Sequence, residues 1–304
     1  MEEASLLFIE ILSKCKAAKI DPLQLKSSKV LITRQKCHLT KKEIYVLITI
    51  ILASIVWLLC PFYPNNSQCS IGFPDNIRKA FRPPVKCDFC QGVSNIQKVK
   101  RISSEDFEQK FAYSGVPVVV TDATVNWTSL STFDFWYFKD TYSLAKHKNK
   151  ILNCQFFPYK SGFRNLFEAL ENPPEHFHSN EKAWYFGWSN CNPETAEQLR
   201  QHYGRPYFLP ETSENNAVDW IFMGTSGLGA HMHVDNVRLP SWQAQLAGSK
   251  KWILMPPPEC YFWCNRVEIV MDEGDIIIID TNKWYHQTIV LPGKISITIG
   301  AEYD

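Results

Sequence analysis

One apolar run dominates the first third of the chain: Ile44 to Cys60, IYVLITIILASIVWLLC, carries no charge over seventeen residues. A helix rises about 1.5 Å per residue and a bilayer's hydrocarbon is about 30 Å thick, so the run, extended by Pro61 and Phe62, predicts one transmembrane helix over 44–62. A buried core helix is the alternative reading. A cleaved signal peptide fits less well, because some forty residues precede the run and no small-x-small cleavage site follows it.

Beyond about residue 95 the pattern changes to short β-like runs separated by turn signals. Val116–Thr121, Trp220–Met223, Trp242–Leu246, Trp252–Met255, Val267–Met271, Asp275–Ile279 and Ile295–Ile299 read as strands, and Glu273-Gly274 as a tight turn between two of them. Phe133–Tyr142 and Phe163–Glu171 read as helices, the second stopped by Pro173-Pro174. The chain divides into a basic head (1–43), the span (44–62), a proline-bearing stem (63–94) and a mainly β domain with flanking helices (95–304).

Charge orients the span. Nine Lys and Arg lie between Lys14 and Lys42, whereas only Arg78 and Lys79 follow within twenty residues. The positive-inside rule then puts the N-terminus in the cytosol and the domain in a lumen, as a type II membrane protein of the endoplasmic reticulum or Golgi. Two glycosylation acceptor triplets, Asn65-Asn66-Ser67 and Asn126-Trp127-Thr128, fall on that side. So do seven of the ten cysteines. The net charge of +1 offers no global field to gather nucleic acid, which is disfavoured as a partner.

The candidate chemistry lies in the last third. In Gly229-Ala-His-Met-His-Val-Asp235, residues i and i+2 of a strand share a face, so His233 and Asp235 can present an imidazole and a carboxylate to one point. His286, in Trp284-Tyr-His, would complete a facial triad from a neighbouring strand. Two His and one carboxylate leave coordination positions open, as Fe(II) that must bind a co-substrate and O2 together requires. His231 shares the parity of His233, and reads as a residue lining the pocket or a substitute ligand.

The surroundings carry a resemblance. After His-x-Asp come Gln245-Leu-Ala-Gly248-Ser-Lys250-Lys-Trp252 running into Pro256-Pro257, then Glu273-Gly274-Asp275, then Trp284-Tyr285-His286 and a closing β run. This order resembles the JmjC (cupin-like) oxygenases over about Ser94 to Asp304. The resemblance implies a double-stranded β-helix, or jelly roll, whose mouth holds Fe(II) on His233, Asp235 and His286. It implies 2-oxoglutarate as co-substrate, its distal carboxylate on Lys250 and Tyr185. The implied reaction oxidatively decarboxylates 2-oxoglutarate to succinate and CO2 and hydroxylates a protein side chain, with demethylation of an N-methyl group as a second form.

Two positions depart from the family pattern. Ala230-His231 stands where relatives have Thr-Pro, so Thr225, Ser226 or Ser241 would have to supply the missing hydroxyl. Gly300 stands where some relatives place an Asn. These departures favour a second reading, a catalytically inactive JmjC-like binding module tethered to the membrane. Cys87-x-x-Cys90 with Cys260 and Cys264 reads as disulfides, with an imperfect four-cysteine zinc site as the alternative.

Overall fold

The computed structural model describes residues 84–173, 183–214 and 218–304, with scattered helical positions between 13 and 18 and between 42 and 54. The chain separates into two compact units at Ile77 and Arg78. In the first, the described positions between Tyr45 and Ser54 are helical and exposed. The rest of the Ile44–Cys60 run, Asn65 and Cys69 lie outside the described residues. Among the described residues no helix is long and apolar enough to cross a membrane.

The second unit is mainly β. Its strands are β1 (Gln97–Val99), β2 (Val118–Val120), β3 (Phe156–Phe157), β4 (Tyr185–Asn190), β5 (Asp219–Gly224), β6 (Ser241–Ala247), β7 (Lys250–Met255), β8 (Val267–Met271), β9 (Ile276–Ile279), β10 (Tyr285–Val290) and β11 (Ser296–Glu302). They form an eight-stranded sheet, ordered β1-β2-β9-β6-β11-β5-β4-β3, and a three-stranded sheet, β10-β7-β8. Every pairing is antiparallel except β1 with β2. This is the mainly β, jelly-roll type of architecture that the sequence predicts.

The large sheet is covered on both faces. Ile276, Ile278, Trp242, Leu246, Ile297, Ile299, Ile221, Phe186 and Trp188 pack under helices, together with Phe107, Phe138, Leu166 and Leu199. Val119, Ile277 and Ile279 point the other way, against Trp252, Leu254 and Val267 of the small sheet. A strand buried on both sides has no polar alternation, which is why β9 is four consecutive isoleucines. Toward β4, β5 and β11 the inward face turns polar and aromatic, and there the cavity forms.

Local signals set the helix ends. Asp134 caps Phe135–Leu144 by accepting from the Tyr137 N–H at 2.7 Å, so that helix begins two residues later than the apolar pattern suggests. Asn165 caps Leu166–Leu170 in the same way. Pro193–Leu199 is a further helix, with Asn192 as cap and Pro193 in its first turn.

The expected stem, 63–94, is corrected at its end. A 3-10 turn, Cys87–Phe89, belongs to the domain, and Phe89, Cys90 and Val93 are buried in the smaller core cluster. Three disulfides, Cys87–Cys260, Cys90–Cys264 and Cys154–Cys191, close the unit. The zinc alternative for Cys87, Cys90, Cys260 and Cys264 falls with them, because a sulfur bonded to sulfur is no longer a thiolate ligand.

Candidate active site

His286 lies on β10 with its side chain inward and buried. Along the free edge of β10 runs the segment 227–235, which carries His233 and Asp235. Val290 N–H donates to the Leu228 carbonyl at 2.8 Å, Thr288 N–H to Ala230 at 3.0 Å, and His286 N–H to His233 at 2.8 Å. Four residues of the segment, Ala230 to His233, therefore lie against only three of β10, His286 to Thr288, as in a bulge. The expectation of a regular strand here is corrected: His233 makes a single bridge with His286, and Asp235 is held by its N–H to the Thr281 carbonyl at 2.9 Å. The chain is nonetheless extended enough that the i, i+2 pair faces one point.

That point is well defined. One ligand atom each from His233, Asp235 and His286 lie within 4.8 Å of one another. Asp235 Oδ1 is 3.4 Å from His233 Nε2, and Oδ2 is 3.8 Å from His286 Nε2. His233 Nδ1 lies 2.6 Å from the His231 carbonyl and His286 Nδ1 3.1 Å from the Trp284 carbonyl. A carbonyl only accepts, so each Nδ1 carries the proton and each Nε2 lone pair is left for a ligand.

Electrostatics separates the two rings. Burial, with like charge from His233, depresses His286 to about 4 against the pull of Asp235. Burial also opposes charge on His233, but its bond to the Asp235 carboxylate outweighs this and raises it above the ordinary value. Asp235 itself is lowered: desolvation works upward, and the bond from His233 with the field of both rings overcomes it.

Lys250 enters from β7 on the same inner face and is fully buried. Its Nζ donates to Tyr185 Oη at 3.1 Å and to Thr298 Oγ1 at 3.0 Å, and lies over the Tyr185 ring. It has no carboxylate partner among the described residues. Burial drops its pKa from the ordinary 10.5 to about 7. Lys251, one residue on, points outward and pairs with Glu268, as strand alternation requires. Tyr185 and Phe222 lie flat across β4 and β5, ring planes 12° apart. Each covers a glycine on the partner strand: an added Cβ at Gly224 would meet the Tyr185 ring at 2.3 Å, and at Gly187 the Phe222 ring at 2.4 Å.

The metal point opens on a cavity of about 240 Å3, lined also by Trp252, Thr288, Gln243, Trp220 and by Tyr185, through which the fully buried Lys250 adjoins it. Ser241 reaches this wall. Thr225 does not: its hydroxyl is spent on the Trp184 backbone, accepting from N–H at 2.9 Å and donating to C=O at 3.3 Å. Ser226 is exposed beyond the cavity. His231 is exposed at the rim, beside Tyr159 and His233. Sequence reasoning missed Thr298 and Thr288. The latter supports the wall by accepting the Ala230 N–H at 3.0 Å.

The donor set suits the group the resemblance implies. Two neutral imidazoles and a carboxylate on one side of a cavity match Fe(II) better than zinc's closed thiolate sites. A buried ammonium without a counter-ion, flanked by two hydroxyls, is a place for a carboxylate of a small diacid.

The model of the cupin-like domain family matches residues 104–268, more than half of the chain, and the chain belongs to that family. Its relatives are JmjC oxygenases. The bifunctional arginine demethylase and lysyl-hydroxylase psr-1 of Caenorhabditis elegans is 25% identical over 179 residues, 54% of this chain and 42% of that protein. The arginine-specific demethylase JMJ22 of Arabidopsis thaliana is 27% identical over 249 residues, 67% of this chain and 45% of its own length. The 2-oxoglutarate and iron-dependent oxygenase JMJD4 of Mus musculus is 22% identical over 258 residues, 68% and 60% of the two chains. The chain thus spans about half the length of these curated relatives.

Proposed function

We propose that this chain is an Fe(II)- and 2-oxoglutarate-dependent oxygenase that hydroxylates a protein side chain, with N-methyl removal as the variant form of the same reaction. The observation that carries the reading is the convergence of His233, Asp235 and His286 at a cavity also lined by Tyr185, the hydrogen-bond partner of a buried Lys250 that has no carboxylate partner among the described residues.

Iron and co-substrate, when bound, supply the oxidising power. The chain's own work is placement. His233, Asp235 and His286 hold the metal through Nε2 and carboxylate oxygens. Lys250, Tyr185 and Thr298 fix the distal carboxylate of 2-oxoglutarate, with Ser241 and Thr288 along the wall. Trp252 lies against the His286 ring, centroids 5.8 Å apart and 24° between planes, and keeps water from that side. Glu302, held by the Trp220 indole N–H at 2.8 Å, sets a carboxylate in the wall, which favours a basic side chain as substrate. The relatives' activities on arginine and lysine point the same way.

The reading includes location: the 44–62 helix as anchor, and the domain in the lumen of the endoplasmic reticulum or Golgi. Its support is the charge asymmetry and the pairing of six of the seven cysteines after the apolar run, which an oxidising compartment favours. Asn126 is exposed at a turn, as an acceptor for glycan must be.

Incubation of the full chain with Fe(II), ascorbate and labelled 2-oxoglutarate tests the activity. Succinate should form, and should vanish in His233→Ala. Failure of 2-oxoglutarate to bind in the presence of Mn(II) would overturn the reading in favour of a tethered binding module.

A further inference from the structure

Between two of the disulfides the chain displays three consecutive aromatics: Tyr261 is 52% exposed, Phe262 95% and Trp263 65%. A surface loop ordinarily avoids such a run, since each ring left in water forfeits its burial. This one is built outward. A 3-10 turn, Pro258–Cys260, leads in, and the Trp263 and Cys264 N–H groups both donate to the Cys260 carbonyl at 3.0 Å. Cys260 and Cys264 are buried and covalently tied to Cys87 and Cys90, so the three residues between them can only project away from the core.

The same clamp receives the chain arriving from the N-terminal side. The Val85 N–H donates to Glu259 Oε1 at 3.0 Å, immediately before Cys87 bonds Cys260. Residues 61–83 separate this point from the apolar run and can stretch no further than about 80 Å. The tip carries no ionisable side chain apart from the tyrosine hydroxyl. At its flanks Glu259 is engaged by Val85, and Arg266 pairs with Glu268. Aromatic rings on a charge-free tip are what a bilayer's interfacial zone takes up.

We infer that Tyr261, Phe262 and Trp263 form a foot that rests in the interfacial layer of the membrane, holding the catalytic domain against the leaflet to which it is tethered. This rests on the anchor reading above; the occupant is lipid, not a protein.

Trp263 supplies the probe. The full chain is reconstituted in phosphatidylcholine vesicles, and the emission of Trp263→Phe is subtracted from that of the wild type, which removes the nine other tryptophans. Lipid brominated near the glycerol end should quench the Trp263 difference emission at least twofold, and aqueous iodide should leave it unchanged. In Phe262→Ser the lipid quenching should fall by half or more. Full iodide quenching of Trp263 overturns the foot. So does protection from iodide without lipid quenching, which would assign the loop to a protein face such as a second copy. Carbonate washing of the same vesicles distinguishes the two failures. A chain that stays while Trp263 reports water keeps the anchor and loses the foot. A chain that washes off loses the anchor, and the foot then stands only if Trp263 was lipid-quenched before the wash.

Discussion

His233 and His286 face each other across a single β-bridge, ring centroids 4.2 Å apart, and each turns its Nδ1 to the carbonyl two residues back in its own chain. The two rings are thereby fixed in the same tautomer by local backbone, before any metal is present. They differ in burial and neighbours, and this difference can be measured.

Metal binding should lose affinity on acidification because of His233, not His286. His286 is held near 4 by burial and is already neutral at pH 6, whereas His233 titrates above its ordinary value because Asp235 stabilises its charged form. A proton on His233 Nε2 competes with the metal. Mn(II) affinity should therefore fall about tenfold per pH unit once pH drops below the raised His233 pKa. Titration of the imidazole C–H signals in metal-free protein should show two transitions, one near 4 and one above 6.5. A single shared midpoint would remove the argument.

Lys250 gives a prediction of opposite sign for stability and function. Its shift from 10.5 to about 7 means that carrying its charge inside the fold costs on the order of 5 kcal/mol. Lys250→Met removes that cost but leaves the Tyr185 and Thr298 hydroxyls without their donor, so the net gain at pH 7 should be on the order of 2 kcal/mol. The unfolded chain binds the proton that the fold refuses between about pH 7 and 10.5, so wild-type stability rises with pH in that window and the gap to the variant narrows. Chemical denaturation at pH 7 and pH 9.5 measures both. The same variant should lose 2-oxoglutarate binding by 100-fold or more.

How much of this was legible beforehand depends on burial. The parity of His233 and Asp235 survives although their strand does not, because a bulged but extended segment keeps i and i+2 on one side. The same parity applied to β10 would have delivered Thr288 from His286, and applied to β11 would have delivered Thr298 from Gly300. The strand expected to carry His286 is β10, Tyr285–Val290, whose extent the sequence does not mark because Trp284-Tyr285-His286 reads there as a motif rather than as an alternating run. β4, YFGWSN, is buried throughout, so it shows no alternation, and its glycine and closing asparagine dilute the β-propensity of Tyr185, Phe186 and Trp188. The helix at Pro193–Leu199 was readable from Asn192-Pro193 and was missed. The cysteine pairing could not be deduced from spacing, since the bonds join residues 173 and 174 apart in sequence.

Gly300 bears on the missing asparagine. A Cβ there would lie 2.3 Å from the Trp242 carbonyl oxygen on β6, so no side chain fits without moving that strand. Gly300→Asn should therefore not restore a co-substrate contact. It should destabilise the domain by about 1–3 kcal/mol and weaken 2-oxoglutarate binding, as should the smaller Gly300→Ala. Thermal unfolding beside a binding titration checks this; tighter binding in Gly300→Asn would show that β6 yields.

The paired disulfides should act unequally when lost singly and together. Cys87–Cys260 closes a loop of 173 residues and Cys90–Cys264 one of 174, over nearly the same chain. Once either is formed, the second closes only the small ring through Cys87, Cys90, Cys260 and Cys264. By the chain-entropy relation a ring of that size is worth about 2–3 kcal/mol, whereas the first closure of so long a loop is worth about 5 kcal/mol. Replacing Cys90 and Cys264 by serine should thus cost about 2–3 kcal/mol, and replacing all four about 7–8 kcal/mol. Denaturant titration of the two variants against the wild type gives the ratio. Equal increments for each bond would mean that they constrain the unfolded chain independently, which their near-identical spans do not allow.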